Sequence, residues 1–304
     1  MQKQTKAYIL TIFAVTFWGT AASAFKIALR YVTPFTLLLY SALFSTVALF
    51  IILLLQGKLS KLKKIRRQSW LMAALLGFIN PFLYYLVLFK AYSLLPGQIA
   101  MSLNYGWPFA LTLLSVPLLG QKLNRAQILA IGVSFFGAII IATKGQFFNF
   151  GDASTFGVAL AVGSTLLWAV FWLLNARDAF DPVFKLFLGF SFGLAYTLLF
   201  SPFFGGVQLP PPAAILPLIY IGLFEMGITF VLWLTALQMS SSAARIGNLV
   251  YVSPFLSLLF LNLVVGEDIH ITTFLGLFLI VSSIIYQETR TKKTGPRKVA
   301  KNRL

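Results

Sequence analysis

Asn104-Tyr-Gly-Trp-Pro-Phe109 interrupts a long apolar run with a proline, and 146 residues later Val250-Tyr-Val-Ser-Pro-Phe255 does the same. Both read Tyr-x-x-Pro-Phe. A proline inside a helix removes a backbone hydrogen bond and bends the chain, so matching prolines mark matching bends. Outward from this pair, at nearly the same spacing, Gly120 matches Gly266, Ala91 matches Ala236 and Asn80 matches Glu225. Pro34-Phe35 matches Pro182-Val183 at a spacing of 148, and Trp18 matches Trp168 at 150. The pairs keep one order along the chain. Repeats decide architecture, and residues 1–145 and 146–304 are expected to be two copies of one unit.

The units are membranous. The chain has 304 residues, 59% of them hydrophobic and only 10% charged, where soluble domains carry about 25% charged residues. A helix crossing the hydrocarbon core needs roughly 20 apolar residues. Such runs lie near 7–27, 34–56, 70–92, 97–118, 126–143, 155–175, 183–201, 213–237, 243–265 and 271–287. They are continuous rather than alternating, which excludes barrel strands. The first is not a cleaved signal peptide: it is long, lacks a cleavage site and contains Trp18 and Lys26.

Ten spans put both termini on one side. If the termini and the even-numbered connections, with the span ends bordering them, are cytoplasmic, that side holds 19 of the 24 Lys and Arg. The opposite side keeps only Arg30 and Lys144, while Lys26, Lys90 and Lys185 fall within or at the ends of spans. This is a strong positive-inside bias. It accounts for the net charge of +17 without nucleic acid as a partner. Five spans per unit is an odd number, so the second unit enters the membrane from the opposite side. The expected fold is therefore an all-α integral membrane protein, an inverted 5+5 repeat with both termini cytoplasmic. That plan is typical of alternating-access carriers with a site near the midplane. The block Lys58–Arg67 and the basic tail read as topology determinants that would also suit anionic lipid.

Polar groups in hydrocarbon are costly and mark functional interiors. Glu225, in Gly222-Leu-Phe-Glu-Met-Gly227, is the one carboxylate at mid-membrane depth and a candidate proton carrier or counter-charge for an ammonium. Asn80 precedes Pro81, and Tyr84 follows it at i+4, on the same face of a regular helix. Asn104 and Trp107 share a face, as do Asn248 and Tyr251. Trp18, Trp107 and Trp168 lie well inside spans, where indoles can stack on a solute or attract a cation. These residues are the candidate substrate-binding set, with Pro81, Pro108 and Pro254 as helix breaks near moving parts. Trp233 reads as packing. Lys26 and Lys90 read as snorkelling side chains. Gly189-Phe-Ser-Phe-Gly193 is a close-packing surface, within the bundle or between protomers.

Phe17-Trp-Gly-Thr-Ala-Ala-Ser-Ala-Phe-Lys26 resembles the opening signature of the drug/metabolite transporter superfamily, EamA-like branch, as does Tyr251-Val-Ser-Pro-Phe255 followed by Gly266-Glu267. The resemblance implies ten helices, an inverted repeat, export of small metabolites or toxic compounds, and a bacterial or archaeal inner membrane. In one departure, the Gly-Glu expected after the fourth span reads Gly120-Gln121. Tyr105 with Trp107-Pro108 is reminiscent of the aromatic amino acid exporters of that superfamily.

Chemistry is otherwise scarce. The chain has no Cys and one His, His270, so no thiolate site, disulfide or metal cluster is expected, and no cofactor. There is no phosphate-binding loop of the G-x-x-x-x-G-K-[ST] type. An intramembrane enzyme would need paired acids or a His cluster, and a channel a polar ring; neither is present. The expected function is secondary transport of a small solute, amino acids among the candidates. The alternative is flipping of a lipid or lipid-linked solute by the same architecture.

Overall fold

A computed structural model describes residues 2–59, 66–119, 123–145, 154–175, 181–240 and 249–293. Every regular element among them is helical. α1 (Gln2–Ala28) and α2 (Pro34–Leu55) are followed by α3 (Arg67–Gly77), which passes through a π-helical turn (Phe78–Leu83) into α4 (Tyr84–Leu94). A short corner leads to α5 (Gly97–Asn104), broken at Tyr105 and Gly106 before α6 (Trp107–Leu119), and then to α7 (Arg125–Ala142). The second half gives α8 (Thr155–Asn175) and α9 (Pro182–Phe200). α10 (Pro212–Tyr220) then runs through a π-helical turn (Ile221–Glu225) to α11 (Ile228–Met239). α12 (Ser253–Phe260), continued by a third π-helical turn (Leu261–Val265), and α13 (Ile271–Lys293) complete it.

Among the described residues, seven helical stretches are long and apolar enough to cross a membrane: Lys3–Ala28, Pro34–Leu55, Arg67–Leu94, Gly97–Leu118, Thr155–Asn175, Val183–Phe204 and Pro212–Met239. The other three expected spans are shorter apolar helices, Arg125–Ile141, Ser253–Val265 and Ile271–Gln287. The helices themselves run on, α7 to Ala142 and α13 to Lys293. The run expected at 243–265 is described only from residue 249. Much of the basic block and the whole tail beyond 293 lie outside the described residues.

Helix starts follow local chemistry. Thr33 accepts from the Thr36 amide and Asp181 from those of Val183 and Phe184, with Pro34 and Pro182 at the first helical position. Asn124 and Gln127 form a reciprocal capping box. Each such cap is worth about 1 kcal/mol.

The packing has the symmetry of a repeat. α1 lies along α11 as α8 lies along α4; α1 meets α12 as α8 meets α6. α2 packs on α9, and α7 on α13, each pair mapping onto itself when the halves are exchanged. Close approach is secured by small residues. A Cβ on Gly77 would sit 2.4 Å from the Gly189 carbonyl oxygen, and one on Gly193 would sit 2.4 Å from Pro81 Cγ. The Gly-x-x-x-Gly surface of α9 is thus spent inside the bundle, against the first π-helical turn. Its counterpart is Ser41 and Ser45 of α2, against which Gly222 of the second turn packs: a Cβ there would meet the Ser41 oxygen at 2.7 Å. Leu and Phe side chains such as Phe135, Leu199 and Leu216 remain exposed on the outside, as a bilayer-facing surface requires.

Candidate functional site

A cavity of about 360 Å³ lies where the two halves meet. Helical spacing builds its walls. Trp18, Ala21, Ala22 and Phe25 share one face of α1; Tyr84, Leu88 and Tyr92 share one face of α4; Trp168 and Trp172 are one turn apart on α8. The break between α5 and α6 contributes Asn104, Tyr105, Trp107 and Pro108, and α6 continues with Leu111 and Thr112. Glu225 enters from the second π-helical turn, Phe230 and Trp233 from α11, and Tyr251 from the chain ahead of α12. Both broken helices resume just before proline, Pro108 and Pro254 each occupying the second helical position.

The polar side chains are tied to one another. Tyr84 donates to Asn104 Oδ1 at 3.3 Å, and Asn104 Nδ2 donates to Ser164 Oγ at 2.8 Å. Tyr105 and Ser253 share a short hydroxyl–hydroxyl bond that joins the two broken helices. Gln287 of α13 donates to Thr112 at 2.8 Å. The Tyr85 hydroxyl donates to Glu225 Oε1 at 3.2 Å, while Glu225 Oε2 is buried with no partner among the described residues. Aromatic rings close the remainder: Tyr84 lies 4.7 Å from Trp168, and Trp18 lies 5.6 Å from Trp233 and 5.9 Å from Phe230. No Lys, Arg or His is among the described lining residues, and Glu225 is their one carboxylate.

Of the candidate residues, Trp18, Tyr84, Asn104, Trp107, Trp168, Tyr251, Glu225 and Pro108 converge on this cavity. Asn80 does not. It lines a separate cavity of about 80 Å³ with Trp172, Asn175, Lys185 and Phe230, and its amide is buried with no partner among the described residues. The i, i+4 argument that put Asn80 beside Tyr84 assumes a regular helix. At Asn80 the backbone leaves helical geometry (φ −145°, ψ 118°) within a π-helical turn, which rotates the two side chains apart. Pro81 packs against Gly193, and Pro254 is buried at the start of α12; neither lines the cavity. Asn248 lies outside the described residues. Trp172, Trp233 and Phe230 were not among the candidates, although Trp172 sits one turn from Trp168 and Trp233 lies well inside its span.

Two further residues act at a corner away from the cavity floor. Glu267 accepts from the amides of Gly97 (2.7 Å) and Gln98 (3.1 Å), closing the start of α5. Lys26 donates to the carbonyls of Tyr92 (3.1 Å) and Leu95 (2.9 Å), closing the end of α4. Orphaned groups at both helix ends are satisfied this way, so the lysine caps a helix rather than merely snorkelling. Among the described residues no cluster of three His, Cys, Asp or Glu could hold a metal.

The sequence model of the EamA-like transporter family matches twice, over residues 5–143 and 155–286. The chain belongs to this family. It is thus a membrane transporter rather than an enzyme, and family membership makes it a secondary transporter of small solutes. An uncharacterized transporter, YvbV, of Bacillus subtilis is 23% identical over 95% of this chain and 93% of its own length. A second from the same organism, YoaV, is 28% identical over 91% and 94%. The aromatic amino acid exporter YddG of Ancylobacter novellus is 25% identical over 59% of this chain and 62% of its own. A solved crystal structure covers 96% of this chain and 99% of its own with a TM-score of 0.66 at 21% identity, which speaks to the fold alone.

Proposed function

We propose that this EamA-like protein exports small organic metabolites, amino acids among the candidates, by alternating access around the central cavity. In this reading ten helices span the cell membrane as an inverted repeat, residues 1–145 and 146–304, with both termini cytoplasmic. The double family match, the exchange-symmetric packing and the basic residues at alternate connections support it. The observation that carries the reading is convergence: one cavity takes walls from both halves and holds a carboxyl at its side, Glu225, with an uncommitted oxygen. Glu225 serves as proton carrier or counter-charge, Trp18, Tyr84, Asn104, Trp107, Trp168 and Tyr251 hold the solute, and Asn248 would join them. Pro81, Pro108 and Pro254 mark the breaks about which helices move.

The test is solute flux in proteoliposomes under an imposed pH gradient. Glu225→Gln is expected to abolish gradient-driven transport while leaving the protein folded. Wild-type transport in that variant would remove Glu225 from the mechanism. Failure to move any soluble solute, together with flipping of a labelled lipid, would reassign the cavity to lipid.

A further inference from the structure

Connections between spans are ordinarily where a membrane protein turns polar and charged groups to water. The connection between α9 and α10 does not. From Leu186 to Phe224 the chain carries no charged residue. Within the connection, Phe203, Val207 and Leu209 are 81%, 55% and 89% exposed. Three large apolar side chains crowded at one exposed loop are unfavourable in water and mark a contact surface. The connection at the corresponding place in the first half, between α2 and α3, instead contains Lys58, Lys61, Lys63, Lys64 and Arg66.

The loop that presents these side chains is built rather than slack. A 3-10 turn (Ser201–Phe204) ends on Gly205 and Gly206, whose φ angles of 88° and 79° suit glycine. The Gly206 amide donates to the Ser201 carbonyl at 2.8 Å. Phe204 stacks on Phe35 of α2, with centroids 4.5 Å apart and planes 5° from parallel. The Tyr40 hydroxyl, also on α2, donates to the Gln208 carbonyl at 3.1 Å. The loop is thus pinned to the first half while Phe203, Val207 and Leu209 stand clear.

Its backbone and its depth suit lipid. Pro202, Pro210, Pro211 and Pro212 carry no N–H, which removes donors that a dry setting would leave unpaired. α9 has 19 residues, a rise of about 28 Å against about 30 Å of hydrocarbon. Its start is marked by the ion pair of Asp181 with Lys58 at 3.0 Å. The loop therefore falls at the opposite boundary of the hydrocarbon, not beyond it. Its apolar surface runs on into exposed Leu198 and Leu199 at the end of α9 and Ile215 and Leu216 near the start of α10.

We propose that the α9–α10 connection is a wedge inserted into lipid. Phe203, Val207 and Leu209 sit at the headgroup–acyl boundary of the outer leaflet. The partner is the membrane itself whatever its headgroup charge, because the segment has no charge of its own to match. Tied to α2, the wedge fixes the outer ends of α2, α9 and α10 at one depth. The proposal is independent of which solute the central cavity carries.

The chain has no cysteine, so single cysteines report single places. Phe203→Cys and Leu209→Cys are labelled with an environment-sensitive fluorophore and reconstituted in phosphatidylcholine vesicles, with and without phosphatidylglycerol. Leu199→Cys on the bilayer-facing side of α9 and His270→Cys in an exposed connection serve as lipid and water references. Lipid brominated near the headgroup end of its chains is expected to quench both loop probes as it quenches the Leu199→Cys probe. Iodide in the buffer should quench them at least about fivefold less than the His270→Cys probe. Phosphatidylglycerol and salt should change neither result. Iodide quenching equal to that of the water reference would overturn the proposal, since the loop would then project into water. So would loop probes reached by neither quencher while both references respond, because protein, such as a second copy of this chain, would then cover the patch. Quenching by brominated lipid that requires phosphatidylglycerol would overturn it as well, by making the contact one of charge.

Discussion

Two of the three π-helical turns among the described residues, Phe78–Leu83 and Ile221–Glu225, do the same mechanical job with different chemistry. Each interrupts the third helix of its half, and each rests on a pair of small residues four apart in the second helix of the other half. For the first turn the pair is Gly189 and Gly193; for the second it is Ser41 and Ser45. The side chains each turn presents then diverge. Asn80 ends in a narrow cavity with its amide unpartnered among the described residues, whereas Glu225 reaches the wall of the central cavity. A duplicated backbone device has kept its packing in both halves, and the acid stands in only one. Symmetry here describes the scaffold, and the departure from symmetry describes the chemistry.

The sharpest way to break the comparison is to remove the close approach itself. Gly77→Ala places a methyl 2.4 Å from the Gly189 carbonyl, and Gly222→Ala places one 2.7 Å from that of Ser41. Overpacking against backbone has no flexible side chain to yield, and a loss of about 3 kcal/mol is expected at either turn. Thermal unfolding in detergent checks it; a cost at one turn alone would show that the two supports are not equivalent.

Next in size is the cap at the α4–α5 corner. Glu267→Ala frees the Gly97 and Gln98 amides, with an expected loss of about 1–2 kcal/mol. Glu267→Gln keeps one acceptor and should cost less. Gln121, at the matching place in the sequence of the first half, lies outside the described residues; a negligible cost for Glu267→Gln would show that an amide oxygen suffices at this corner.

A smaller effect, of opposite sign, is expected at Asn80. Replacing it with leucine deletes two polar atoms that lack partners, so stability should hold or rise by about 1 kcal/mol. Transport should stay near wild type. A large loss of transport would bring the small cavity into the solute route and erase the contrast with Glu225.

The smallest effect concerns pH. Burial pushes the Asp181 carboxyl up, but the Lys58 ammonium at 3.0 Å and the amides of Phe184 and Val183 more than reverse this, holding it below its ordinary value. A group lowered in the folded state contributes stability above its unfolded pKa, about 4, and loses it as pH falls through the folded value. Melting temperature should therefore drop slightly below about pH 4 in wild type and less in Asp181→Asn. Because the two side chains remain partly open to solvent, 28% and 26% exposed, salt should shrink the difference.

The parts visible in the sequence were those set by local composition. Continuous apolar runs gave the helices, and Tyr-x-x-Pro-Phe located both breaks, because proline acts on its own helix. Trp18, Trp107, Pro108 and Trp168 reached the cavity because helical spacing holds along α1, α6 and α8, while Tyr84, Asn104, Glu225 and Tyr251 reach it from α4, α5 and the interrupted stretches. Asn80 was misplaced because the residue before a proline is pushed out of helical geometry toward extended backbone, so the i, i+4 face does not run through Asn80-Pro81 to Tyr84. Trp172 and Phe230 went unnoticed in a chain with 31 phenylalanines, where an aromatic side chain carries no mark of which void it borders.

Those same two rings have one more consequence. Trp172 and Phe230 border both cavities, so these two residues stand between about 360 Å³ and about 80 Å³ of space. Swinging one ring would lend the smaller void to the larger. On the proposed reading of the cavity as the solute site, the protein holds a reserve of room that is opened by the torsion of a ring rather than by a change in the spacing of helices.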